Sequence, residues 1–165
     1  MSETPLPPSA PDASEDEDDA MTPVAVTVNH QYVKDLSFEC PSAAQAFEAL
    51  ARGSARGAMT PLSVNVQSRP LAANVHEVTL NLRFESRFGD VVGYIVELAY
   101  VGVFTLPNLP EEAVKMFALV EAPRLLFPFA RALVARLVQE SGFPPVMLNP
   151  LDFGSLYASS DATTH

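Results

Sequence analysis

The sequence predicts an α+β fold: a four-stranded antiparallel sheet with C-terminal helices packed on one side. Two observations carry this. Three segments before residue 105 alternate apolar and polar residues at period 2 and a fourth is apolar on both faces, the last three being contiguous. Beyond Pro107 the apolar residues recur at helical spacing instead, punctuated by prolines and a glycine. Strands come first and the longer helices last, so those helices have one sheet face to cover. No internal repeat is visible.

The first strand is expected from Val24 to Glu39. Val24, Val26, Val28, Tyr32, Leu36 and Phe38 share one face, and Thr27, Asn29, Gln31, Asp35, Ser37 and Glu39 take the other. Pro41 stops it, and Ser42 can cap a short helix over Ala43–Ala51. Arg52–Thr60, with Gly53 and Gly57, reads as a flexible connection. Leu62, Val64 and Val66 alternate with polar residues in a second strand, which Pro70 ends or marks as an edge. In the third strand, Val75–Phe88, the core side is Val78, Leu80, Leu82, Phe84 and Phe88, while Glu77, Thr79, Asn81, Arg83, Glu85 and Arg87 face away. Gly89 and Asp90 then suit a tight hairpin. The fourth strand, Val91–Phe104, is apolar on both faces, so coverage on both sides is expected.

Pro107 and Pro110 flank a turn, and Glu111 and Glu112 sit where a helix N-terminus favours negative charge. Val114, Phe117 and Val120 are helically spaced before Pro123 interrupts. A longer helix follows with Leu126, Phe129, Ala130, Leu133 and Leu137 as its stripe. Pro128 is tolerable only near its first turn. Gly142 is placed to end it. Leu151, Phe153, Leu156 and Tyr157 form a short apolar segment near the end.

The 165 residues carry a net charge of −10, concentrated at one end. Residues 1–23 hold seven carboxylates, five prolines and no Lys or Arg. Such a segment buries too little apolar surface to offset its ordering entropy, so it reads as a disordered, solubilising leader. The folded domain is expected over 24–157, with a disordered tail over 158–165. Ten scattered basic residues argue against nucleic acid as a partner. The N-terminus lacks a signal-peptide pattern, and no apolar run reaches membrane-spanning length, so direct membrane insertion is not expected. One cysteine, Cys40, cannot form an internal disulfide, which fits a reducing cytoplasm. The apolar body hints at surface buried in an oligomer or kept for a partner.

Catalytic constellations are not evident. His30 and His76 fall on expected core-side strand positions, and His165 is terminal. Cys40 has no His or Asn near it in a recognisable signature. One cysteine and unpaired histidines do not make a metal site, and there is no glycine-rich phosphate loop, so no cofactor is expected.

Five strings, in order, resemble the SecB protein-export chaperone family. Tyr32 through Glu39 with Cys40 and Pro41 resembles its first-strand signature, and Glu97–Phe104, ELAYVGVF, its fourth strand. Leu125–Arg131, LLFPFAR, resembles its helix start; Gly142–Pro145 and Asn149–Phe153 resemble the run that closes the domain. The resemblance covers about Val24 to Tyr157 and excludes the acidic leader and the basic insert at Arg52–Arg56.

It implies a dimer of dimers that holds unfolded precursor proteins in grooves without ATP, in the bacterial cytoplasm. The outer sheet face would recognise the zinc-containing C-terminal tail of the SecA motor. Asp35, Glu39, Ile95 and Glu97 match the family's SecA-contact positions. Alternation agrees that Asp35 and Glu39 share the polar face of their strand, though from spacing alone they could be simply solvated. Promiscuous cargo binding rests on apolar surface and main-chain hydrogen bonds. The candidates are Val103, Phe104, Leu106 and Leu109 in the crossover, and Leu125, Leu126, Phe127 and Phe129 at the helix start. Each could equally be core. The second face of the fourth strand and the long-helix stripe are candidate homotetramer interfaces. Two other readings stand beside this one: a SecB-like chaperone for other clients, such as a toxin–antitoxin pair, and a small α+β enzyme or lipid-binding module.

Overall fold

The computed structural model describes residues 25–53 and 58–161; the acidic leader lies outside them. Its elements are β1 (Thr27–Glu39), α1 (Ala43–Ala51), β2 (Ala58–Met59), β3 (Ser63–Ala72), β4 (Val75–Phe88) and β5 (Val91–Thr105). After these come α2 (Glu111–Met116), a π-turn (Phe117–Glu121), α3 (Ala122–Glu140) and α4 (Phe153–Asp161). All pairings are antiparallel. The order is β1–β5–β4, with β2 and β3 end to end along the free side of β4.

The four long strands are the expected ones. The two-residue β2 is an addition, lying in the stretch read as a flexible connection. Thr60 fastens it: its N–H donates to the Glu85 carbonyl at 2.9 Å, and its Oγ1 accepts from the Glu85 N–H at 3.0 Å. Pro61 has no N–H to continue the ladder, which separates β2 from β3.

The inner face carries Val78, Leu80, Leu82 and Phe84 of β4 with Val96, Leu98 and Phe104 of β5, all buried. The buried side of α3, namely Ala122, Leu126, Phe127, Ala130, Val134 and Val138, completes the core with these residues. Phe143, beyond α3, stacks on Phe47 of α1 and on Phe88, which ties α1 to the same layer. Gly102 lies on this face. A Cβ there would sit 2.6 Å from the Phe104 ring and 2.8 Å from Leu126, so its lack of a side chain permits the close approach.

Several expectations are corrected. Strand β1 does not alternate without interruption. Its pairing with β5 slips between Val28 and His30 and again between Val33 and Asp35, so Asn29 and Lys34 are bulges. Each bulge reverses the phase, so His30 and Tyr32 turn to the outer face rather than the core side. Gln31 turns inward and accepts a hydrogen bond from Tyr100 Oη at 3.3 Å.

The second face of β5 is covered only at Val101 and Val103, and by side chains rather than by another layer. Pro123 does not interrupt the helix. The π-turn absorbs it, since its ring would strike the carbonyl four residues back in a regular α-helix. Helix α3 also runs through Pro128, well past its first turn; the carbonyl of Arg124 that loses its partner lies on the exposed side, where water can serve it. Phe129 is not part of the packed stripe and is 54% exposed. Helix α4 continues to Asp161, so Ala158–Asp161 are helical rather than tail. Gly142, at φ = 87°, ends α3 as expected: its N–H bonds the Gln139 carbonyl and that of Phe143 bonds the Val138 carbonyl.

An outer sheet face with two electrostatic halves

Among the described residues the helices lie on the inner side, leaving the outer face to side chains alone. Register builds one half of it row by row. Glu39 faces Ile95, which faces Glu85; Ser37 faces Glu97, which faces Arg83 and then Ser63; Asp35 faces Ala99, then Asn81 and Asn65. Asp35, Glu39, Ile95 and Glu97 therefore stand together in three consecutive rows on β1 and β5. The Lys34 bulge matters here, because it puts Tyr32, before it, on the same outer face as Asp35, Ser37 and Glu39, after it. A shallow cleft between the strands is lined by Asp35, Asn65, Asn81, Arg83 and Glu97 among others.

The carboxylates differ in their partners. Asp35 and Glu39 are exposed and make no ion pair among the described residues. Glu97 is gripped by Arg83, Nε to Oε1 at 2.6 Å, and Glu85 by Arg87 at 2.7 Å. Alternation already placed Arg83 and Glu85 outward. That they flank Glu97 and Ile95 follows from register, which a single sequence does not give.

The other half is closed. Tyr32 Oη on β1 donates to Glu77 Oε2 on β4 at 3.1 Å, arching across β5 above Val101 and Val103. Arg69 of β3 binds the same carboxylate through two nitrogens, at 2.7 and 3.0 Å, and Lys34 Nζ lies 3.9 Å away. The Glu77 side chain is only 6% exposed. The Arg69 hydrogen bonds hold its carboxyl below the ordinary range; burial opposes this, and the Tyr32 hydroxyl adds to it. Burial and the Glu77 hydrogen bond push the Tyr32 phenol up.

The eight groove candidates separate. Phe104, Leu106, Leu126 and Phe127 are protomer core: Phe104 packs edge-on against Phe117, and Phe127 against Phe153. Val103 is buried under the Glu77 arch and Leu109 is half-buried. Leu125 and Phe129 are exposed, one turn apart on α3. An open cleft that the sequence did not reveal lies elsewhere, between β3 and α4, lined by Val64, Val66, Leu119, Phe153, Leu156 and Tyr157 with Asn65.

Cys40 donates through Sγ to the Gly93 carbonyl at 2.9 Å, and burial raises its pKa, which disfavours a reactive thiolate. Among the described residues, no three His, Cys, Asp or Glu converge as metal ligands, and no helix is long and apolar enough to cross a membrane.

The fold and this face define a class: an α+β protein with one sheet face packed under helices and the other bare, polar and rich in carboxylates. The chain belongs to the SecB family, whose model, described as preprotein translocase subunit SecB, matches residues 19–164. It is 45% identical over 148 residues to the protein-export protein SecB of Paramagnetospirillum magneticum, covering 87% of this chain and 93% of that one. It is 49% identical over 133 residues to that of Rhodospirillum centenum, covering 80% and 77%. In fold it is similar to a SecB-like chaperone of Mycobacterium tuberculosis, solved with a ChAD peptide from an antitoxin. The TM-score is 0.60 over 77% of this chain and 88% of that one, at 12% identity.

Proposed function

We propose that this chain is an ATP-independent export chaperone of the bacterial cytoplasm. It binds unfolded secretory precursors as a homotetramer and hands them to SecA by docking the motor's zinc-containing C-terminal tail on the outer sheet face. Family membership supports the chaperone part of this reading. One observation carries the docking part: Asp35, Glu39 and Glu97 surround the aliphatic Ile95 in three adjacent rows, on a face that no helix covers. A compact basic module would meet two carboxylates free of ion pairs and a small apolar foothold there, with electrostatics supplying encounter and register.

The test is titration of the zinc-loaded SecA tail peptide against the full chain by calorimetry. Asp35→Lys and Glu97→Lys are each expected to abolish measurable binding, because each converts an attraction into a like-charge clash. Undiminished binding by both variants would overturn the docking assignment.

A further inference from the structure

Resting on that docking reading, we infer that Arg83 is a built-in competitor for the surface: it occupies Glu97 with an intrachain ion pair that an arriving cation has to replace. Arg83 and Glu97 are register partners on neighbouring strands β4 and β5, with side chains 56% and 50% exposed and 2.6 Å between Nε and Oε1. Both halves of the pair are thus within reach of a partner laid on the sheet. The neighbouring row repeats the pattern, with Arg87 on Glu85 beside Ile95. The surface therefore presents four carboxylates, Asp35, Glu39, Glu85 and Glu97, against two guanidinium groups of its own.

The consequence is moderated affinity. An exposed ion pair resists exchange by about fivefold at most, so Arg83 weakens docking without preventing it. Its positive charge also repels the incoming module across a distance shorter than the Debye length at physiological salt. A carrier that must release the motor after delivery benefits from a contact that is selective by charge yet rapidly exchanged. Asp35 and Glu39, without ion pairs of their own, are then the first point of encounter, and Glu97 engages once Arg83 swings aside.

The experiment compares the full chain with Arg83→Gln, Glu97→Gln and the double variant, titrated with the zinc-loaded tail peptide at low and physiological salt. Arg124→Gln serves as a charge control, because Arg124 of α3 pairs with Glu121 of the π-turn, away from the outer sheet face. Arg83→Gln is expected to bind three- to tenfold more tightly than the parent and to lose affinity more steeply with salt. In the Glu97→Gln background the same change should gain less, since the pair it relieves is already gone. Arg124→Gln should bind within twofold of the parent. Equal or weaker binding by Arg83→Gln, with the parent binding, would overturn the competitor role and leave the docking reading in place. An equal gain from Arg124→Gln would reduce the effect to net charge and overturn it as well. Failure of the parent itself to bind would remove both.

Discussion

Glu77 and Glu97 lie on the outer face of the sheet, on the neighbouring strands β4 and β5, yet their surroundings make them opposites. Glu77 is closed in by Arg69, Tyr32 and Lys34 and acts as a clasp between β1, β3 and β4. Glu97 is open to solvent with one replaceable partner. The clasp implies a pH dependence whose sign follows from the depressed Glu77 carboxyl. In the unfolded chain a glutamate titrates near about 4.3. A lower value in the folded state means that its stabilisation is fully present above that pH and disappears as pH falls through the folded value. Glu77→Gln is therefore expected to cost about 1 kcal/mol at pH 7, the low figure reflecting how well solvated Arg69 is. It should also flatten the acid limb of stability below pH 5. Urea melts of parent and variant at pH 7 and pH 4 check both, and an unchanged acid limb would remove the clasp.

At the scale of elements, β1 and β5 build the surface proposed for docking. β1 carries Asp35 and Glu39 on a strand that two bulges bring in and out of phase, and β5 is the central strand that pairs with both flanking strands. At Gly102 of β5, Leu126 of α3 packs directly onto the strand. Gly102→Val would drive Cγ atoms into the Phe104 ring and Leu126, both fully buried, and is expected to cost about 1–3 kcal/mol as overpacking. A melting midpoint within error of the parent would argue that α3 can shift to accommodate it. The four long strands, α1 and the Gly142 stop were legible in the sequence because period, proline and glycine are local signals. The bulges at Asn29 and Lys34 were not, since a bulge changes which side chains share a face while leaving the apolar count intact. That is why Tyr32 and His30 were placed on the wrong face while Asp35 and Glu39, beyond the second bulge, were placed correctly. Helix α3 failed differently. Phe129 fits a helical stripe as well as Phe127 does, and only the position of the sheet beneath decides that Phe127 is buried.

For the whole molecule, the distribution of exposed apolar residues suggests different surfaces for the proposed cargo binding and subunit assembly. On the second face of β5, Val101 and Val103 lie under the Glu77 clasp, while Ile95, Glu97 and Ala99 are not buried. The exposed large apolar side chains include Val28 and Val33 at the free edge of β1, Phe47 on α1, and Leu125 with Phe129 on α3. An unpaired strand edge with apolar side chains is a ready template for a second chain, so β1 is the expected assembly edge of the proposed tetramer. Leu125 and Phe129 are different: two large side chains one turn apart on a helix surface, able to meet extended segments of many sequences. They are the two groove candidates that the fold leaves accessible. Light scattering of the parent is expected to give four chains of 17.8 kDa each. Leu125→Ser with Phe129→Ser should leave that mass unchanged and weaken suppression of aggregation of a denatured client, measured without nucleotide, by severalfold. A fall in mass would move these residues to an interface between subunits, and unchanged suppression at unchanged mass would leave the cleft between β3 and α4 as the surface to probe next.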